Sequence, residues 1–290
     1  MLKNQNIVVF DIGGTNTRAA LVSYPGFVSL PLGRAGTTDD PEDSKSFIIK
    51  MVEKAKSEGF SINKVGISIA GTVDKNFFVS IGRWNRGIPV CEWNKGLFKE
   101  DLEESLDLPV FLINDVSAGV LAEYRFGGHP SPEKEKLMYL TISTGIGSGI
   151  IVEGKNPYSS GAGQFDFGDG LDWENHCGGR YVVGYFNDWV ESNGYQIPFS
   201  IMDSKELFAL KGHPVVDRFF EHYLDICNQM FCVLTRDFQP DIISLGGSLA
   251  RNNRELYSKI QSPHPKTKIV FSSLDDDICL LGAAVYAVGL

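Results

Sequence analysis

Three short runs in this 290-residue chain place glycine beside hydroxyl or acidic side chains directly after an apolar stretch. They are Asp11-Ile-Gly-Gly-Thr-Asn-Thr-Arg18, Thr141-Ile-Ser-Thr-Gly-Ile-Gly-Ser-Gly149 and Leu245-Gly-Gly-Ser-Leu-Ala250. Glycine lets the main chain approach a ligand closely, and the N–H groups of such turns can donate to phosphate oxygens. The candidates are Gly13, Gly14, Thr15 and Asn16 in the first run, Thr144, Gly145 and Gly147 in the second, and Gly246, Gly247 and Ser248 in the third. Thr15 and Thr144 add hydroxyl donors. Asp11 would repel phosphate unless a cation lay between them, which makes it a candidate Mg²⁺ contact, direct or through water. Any one of these turns alone reads equally well as a plain hairpin; three in one chain point to a nucleotide. A fourth run, Asn114-Asp115, closes the apolar stretch Val110–Ile113 and precedes a helical pattern. A carboxylate there suits either a general base or a helix N-cap, and the residues alone leave both open.

Two familiar nucleotide signatures are absent. The run Gly149-Ile-Ile-Val-Glu-Gly154-Lys155-Asn156 nearly matches a P-loop, but residue 156 is neither Ser nor Thr and 150–152 reads as a strand. A dinucleotide fingerprint fails because residue 150 is Ile.

The elements that must carry these runs form two similar series. Ile7–Phe10 and Ala19–Val22 read as strands around the first glycine turn. Apolar residues at 47, 48, 51, 52 and 55 predict a helix over 43–60, followed by a strand at 65–70. Phe98, Leu102 and Leu106 mark a helix, 110–113 a strand and 118–126 another helix. The series restarts with strands at 137–143 and 148–152 around the second turn. A long helix at 215–238, a strand at 241–245, a helix at 248–260 with Ser248 as N-cap, a strand at 269–272 and a last helix at 278–288 complete it. The pattern predicts a duplicated α/β architecture with a hinge near 115–118. The domains are drawn at 1–116 and 117–277, and a last helix of about 278–290 is expected to pack back on the first.

Composition narrows the class. Hydrophobic residues make up 43% and charged residues 22%, as in ordinary globular domains. A net charge of -9 gives no general attraction for nucleic acid or anionic membranes. No apolar run approaches the ~18 residues of a membrane span, and the N-terminus has no signal-peptide pattern. The 5 cysteines are scattered without a C-x-x-C pair, which predicts reduced thiols in a cytoplasmic protein. Trp84, Trp93, Cys227 and Cys232 read as packing residues, and His222 as a surface residue.

The motifs together resemble the ROK family (repressors, open reading frames, kinases) of the actin-like ATPase superfamily. DIGGTNTR resembles the first phosphate motif, VGISIAGTVD (65–74) the family's G-x-x-x-P-G-x-V-D stretch with Ala70 replacing proline, and INDVSAGVLAEYRFG (113–127) the segment with the catalytic aspartate. LTISTGIGSGII (140–151) resembles the second phosphate motif, GAGQF (161–165) and WENHCGGR (173–180) the sugar-side region, and LGGSLA the adenosine-side turn. The resemblance implies a two-domain actin-like (ribonuclease H-like) α/β fold, with mixed sheets flanked by helices and an active site in the interdomain cleft. It implies an ATP- and Mg²⁺-dependent sugar kinase of carbohydrate metabolism, acting on a hexose, with glucose at its 6-hydroxyl as first choice. Asp115 would be the general base, and Asn85, Asn114, Asp115, Gln164 and Glu174 the sugar contacts. A homodimer is the family expectation. Another sugar (N-acetylmannosamine, N-acetylglucosamine or fructose) is the alternative, and a sugar-sensing regulator without catalysis is the alternative of another class. Many family members carry Glu-x-Gly-His after Gly-Ala-Gly and then a zinc-binding cysteine loop. Here Gln164 and Phe167 replace the Glu and His, and only His176-Cys177 lies near, so no zinc site is expected.

Overall fold

The central strand of the first sheet is apolar on both faces: Ile7, Val8, Val9 and Phe10 are all fully buried. Such a strand needs cover on both sides. In the computed structural model, which describes residues 4–38, 40–73, 79–80, 98–129, 135–274 and 276–289, helices supply that cover. Asn85, Trp84 and Trp93 lie outside the described residues.

The chain divides into one unit of Met1–Gly127 with Asp277–Leu290 and a second of Gly128–Asp276. The first contains β1 (Gln5–Ile12), β2 (Asn16–Tyr24), β3 (Val28–Gly36), α1 (Pro41–Ser57), β4 (Ile62–Ile69), the small pair β5 (Thr72–Val73) and β6 (Val79–Ser80), α2 (Phe98–Leu106), β7 (Val110–Asn114) and α3 (Asp115–Phe126). Its main sheet has the order β3-β2-β1-β4-β7. The first three strands are antiparallel, and β1, β4 and β7 run parallel. The second unit contains β8 (Lys136–Ile142), β9 (Ile146–Val152), β10 (Lys155–Ser159), α4 (Trp173–Cys177), α5 (Val182–Ser192), α6 (Ser204–Ala209), α7 (Pro214–Phe238), β11 (Ile242–Gly246), α8 (Ser248–Asn252), α9 (Arg254–Tyr257) and β12 (Lys268–Phe271). Its sheet, β10-β9-β8-β11-β12, repeats the same order, with β8, β11 and β12 parallel. The final helix, α10 (Ile278–Val288), returns to the first unit.

Local chemistry explains the main helices. Asp40 caps α1 by accepting from the Glu42 N–H, and Pro41 occupies the first turn. Pro214 begins α7, whose Val216, Phe219, Phe220, Tyr223, Ile226, Met230, Phe231 and Leu234 form a buried stripe at helical spacing. Each such side chain contributes roughly 1.5–3 kcal/mol by leaving water, before chain entropy is counted. Among the described residues, no helix is long and apolar enough to cross a membrane.

Several boundaries differ from expectation. The domain break drawn at 116 falls inside α3, which belongs to the first unit because it packs on α10. There Gly282 meets the Ala118 carbonyl so closely that a Cβ would overlap it. Strand β3, unpredicted, carries Pro31 and glycines; it is an edge strand, where a missing N–H is tolerated. The helix expected over 248–260 breaks at Asn253 into α8 and α9.

The α3–α10 contact predicts that Gly282→Ala destabilises the protein by roughly 1–3 kcal/mol through overpacking. Gly184→Ala, where the added methyl meets nothing within 4 Å on α5, is expected to be neutral or slightly stabilising. Urea unfolding of both variants checks this; equal midpoints would remove the contact's claimed importance.

Candidate functional site

In the first unit, the parallel strands bring their C-terminal ends to one sheet edge. Register sets Asp11 beside Ser68, Ser68 beside Ile113, and Ile69 beside Asn114. Asp11 and Asp115 therefore reach the same edge, from the end of β1 and from the first residue of α3. Asp11 also faces Arg18 across the β1–β2 hairpin. Arg18 Nη2 donates to Asp11 Oδ2 at 2.8 Å, and its Nη1 lies 3.4 Å from Asp277 Oδ1, just before α10. Ser68 Oγ lies 3.4 Å from Asp11 Oδ1. Desolvation raises the Asp11 pKa, and the Arg18 guanidinium opposes that shift.

The helix cap falls to Asn114. Its Oδ1 accepts from the Ser117 N–H at 3.2 Å, and its Nδ2 donates to the Gly71 carbonyl at 2.7 Å and to Asp115 Oδ1 at 3.0 Å. The amide is thus engaged by the scaffold. Asp115 Oδ1 also accepts from the Val116 N–H at 2.8 Å. Asp115 Oδ2 has no hydrogen-bond partner in another described residue. Desolvation, and then the negative charge of Asp11, raise the Asp115 pKa to about 7, against the bonds from Val116 and Asn114. The first glycine turn is closed by Gly13 N–H donating to the Asn16 carbonyl at 3.0 Å. Asn16 Nδ2 donates to Thr15 Oγ1, and Asn16 Oδ1 accepts from Arg34. The N–H groups of Gly14 and Thr15 have no partner among the described residues.

In the second unit, the turn between β8 and β9 carries Thr144, Gly145 and Gly147. Glu174, on α4, reaches it: Glu174 Oε2 accepts from the Ile146 N–H at 3.0 Å. Gly145 lies so close to that carboxylate that a Cβ would overlap it. The Gly179 and Arg180 N–H groups donate to the Ser143 and Thr144 carbonyls at 2.8 and 2.9 Å. Desolvation raises the Glu174 pKa, with the Ile146 N–H opposing it. The third turn is adjacent because β11 pairs with β8. Gly247 has φ +90°, and a Cβ there would overlap the Ile142 carbonyl. It occupies the N-cap position of α8, so Ser248, expected as the cap, is instead the first helical residue. Glycine alone takes that backbone angle cheaply.

Gln164 is exposed at the end of a 3₁₀ turn over Ala162–Gln164. Phe167 packs its ring on His176 with centroids 4.6 Å apart. His176 Nε2 lies 3.1 Å from Asp169 Oδ2, and Cys177 Sγ lies 3.8 Å from Cys227 Sγ. Among the described residues, no group of three or more His, Cys, Asp or Glu is arranged to hold a metal ion. The structure thus brings together Asp11, Gly13, Gly14, Thr15, Asn16, Asn114 and Asp115 in one unit, and Thr144, Gly145, Gly147, Glu174, Gly246, Gly247 and Ser248 in the other.

Sequence reasoning missed Arg18, Ser68, Gly71 and Asp277 as supports of the acidic edge. Arg18 was legible in principle: in a hairpin closed around Gly13-Gly14, Asp11 and Arg18 are cross-strand partners. His222 was misread as a surface residue; it is half-buried, with Nε2 2.6 Å from Tyr185 Oη.

A family model described as the ROK family matches residues 7–165, over half of the chain. The chain belongs to the ROK family. A glucokinase from Streptomyces coelicolor is 31% identical to this ROK chain over 193 residues, covering 60% of this chain and 57% of that protein's length. An N-acetylmannosamine kinase from Vibrio cholerae is 27% identical over 293 residues, covering 96% and 97%. The crystal structure of a ROK family glucokinase from Streptomyces griseus in complex with glucose and AMPPNP superposes with a TM-score of 0.72 at 24% identity, covering 98% of this chain and 99% of that one. This likeness shows the fold, which is the actin-like one.

The raised Asp115 pKa has a stability consequence. The group favours its neutral form when folded, so that contribution is complete below pH ~4 and is lost as pH rises towards about 7. Asp115→Asn should therefore match the parent near pH 4 and exceed it at pH 8.5, by at most about 4 kcal/mol. Thermal unfolding at both pH values tests this; a pH-independent difference contradicts a raised pKa.

Proposed function

We propose that this ROK chain is an ATP-dependent sugar kinase that transfers the γ-phosphoryl group of ATP to a hexose hydroxyl, with glucose and its 6-hydroxyl as first candidate. The observation that carries the reading is Asp115. Its carboxylate is held through Oδ1, leaves Oδ2 without a partner among other described residues, and has a pKa of about 7. A general base works best when its pKa lies near the operating pH, because it is then both ionised and basic enough to accept a proton. In this reading Oδ2 takes the proton of the sugar hydroxyl as that oxygen attacks phosphorus. The turns containing Gly13–Asn16, Thr144–Gly147 and Gly246–Ser248 hold nucleotide phosphates and the adjoining nucleoside through N–H and hydroxyl donors. Most of the remaining rate enhancement in phosphoryl transfer comes from such positioning and charge neutralisation.

The fit to Mg²⁺ rests on Asp11. Its Oδ2 is occupied by Arg18, and its Oδ1 has only a long contact to Ser68. Mg²⁺ usually keeps several waters and needs few protein carboxylates, so Asp11 suits a contact through water. When bound, Mg²⁺ would neutralise phosphate charge. Gln164 and Glu174 are the sugar-side candidates in the second unit, and Asn114 serves chiefly to orient Asp115.

A second reading, a kinase for N-acetylmannosamine, has its own support. The Vibrio kinase aligns over 96% of the chain. The neutral Gln164 and apolar Phe167 also change the sugar side from that of many family members.

A coupled ADP-release assay with Mg-ATP and a panel of hexoses and N-acetylhexosamines tests both readings. We expect sugar-dependent turnover that falls by ~10² or more in Asp115→Ala. No turnover with any sugar would sink the kinase reading, and undiminished turnover in the variant would remove Asp115 from the base role. The pH–rate profile should rise with an apparent pKa of about 7. In Asp11→Asn, which removes a neighbouring negative charge, the midpoint should move to lower pH.

A further inference from the structure

Glu174 reaches the turn between β8 and β9 from a helix 28 residues further along the chain. Its carboxylate takes the Ile146 N–H, while the peptides just after its helix take the turn's own carbonyls: Gly179 N–H bonds Ser143 and Arg180 N–H bonds Thr144. The turn is therefore gripped on both donor and acceptor sides. Ile146 is buried, so its N–H would be left without a partner if the carboxylate were removed. Gly145 permits the approach, since any side chain there would displace Glu174. The N–H groups of Thr144 and Gly145 have no partner among the described residues, so the grip leaves the two donors at the tip of the turn available to an anion. A carboxylate beside a phosphate-binding turn is electrostatically unfavourable for an anionic ligand. Its presence is accounted for if it fixes the geometry of the neighbouring donors.

We propose that Glu174 is a positioning residue for nucleotide binding: through Ile146 it holds the Ser143–Gly147 turn in its phosphate-ready conformation whether or not a sugar is present. This rests on the kinase reading above and extends it, because it gives Glu174 a role on the nucleotide side that sugar contact does not require.

The test uses the full chain without sugar. Calorimetric titration with Mg-AMPPNP is made on the parent, Glu174→Ala and Glu174→Gln, together with hydrogen exchange of the peptide spanning 143–147. The glutamine amide oxygen can still accept from Ile146. We expect AMPPNP affinity to fall about tenfold in Glu174→Ala, the size of one lost charge-assisted bond, and to return to within about threefold of the parent in Glu174→Gln. Exchange at Ile146 should accelerate in Glu174→Ala only. Equal affinity in all three proteins, or a loss in Glu174→Gln as large as in Glu174→Ala, would overturn the proposal. Absence of AMPPNP binding by the parent would instead overturn the kinase reading on which it rests.

Discussion

Two carboxylates are buried at one edge of a parallel sheet, and the chemistry of the first unit depends on how each is accommodated there. Parallel pairing of β1, β4 and β7 puts Asp11 and Asp115 at the same edge. Partial burial strengthens their interaction relative to water. Arg18 offsets it on one side only, by binding Asp11. Among the described residues, no cation pairs with Asp115; it has neutral donors on Oδ1 and the field of Asp11. Burial raises the pKa of both acids, but Arg18 opposes the shift at Asp11, whereas Asp115 titrates near neutrality. That difference makes Asp115 suitable as a base.

The same ion pair reaches into the packing. Arg18 extends to Asp277, which leads into α10. Helix α10 then lies against both α3 and β4, and glycine marks each close approach: Gly282 against Ala118, and Gly66 with its missing Cβ 2.7 Å from the Ala283 carbonyl. Cys279, on the same helix, has its Sγ 3.6 Å from the Asp115 carbonyl. The last residues of the chain therefore form part of the support for an aspartate more than 160 residues earlier. The second unit uses the same sheet order differently. There the acid, Glu174, bonds to a main-chain N–H; burial raises its pKa, and that bond and the charge of Arg180 oppose the shift.

Much of this was legible before any coordinates. The hairpins around Gly13-Gly14 and Gly145, the helices at 43–60 and 215–238 and the strand ending at Asn114 follow from periodicity that burial enforces. Several of the elements that escaped detection did so for identifiable reasons. Strand β3 contains Pro31, which an edge strand accepts but sequence patterning penalises. Helices α4 and α6 are too short for a 3.6-residue period to declare itself. The boundary at 116 was misplaced because a polar Asn-Asp step looks like a linker. Here it is instead the cap and first residue of a helix packed against the C-terminus.

Residue types and their local order determined the glycine turns, the acid that follows β7, the duplicated strand–helix plan and the family to which the chain belongs. These are properties of short segments, set by backbone permissiveness and side-chain period. Tertiary structure alone decided that Asn114 Nδ2 is tied to the Gly71 carbonyl, and that Glu174 grips the Ile146 N–H. It also decided that Asp277 joins Arg18 and that the Asp115 carboxyl titrates near neutral pH. Each of these depends on which distant groups share a dry, crowded environment, and no local spacing encodes that.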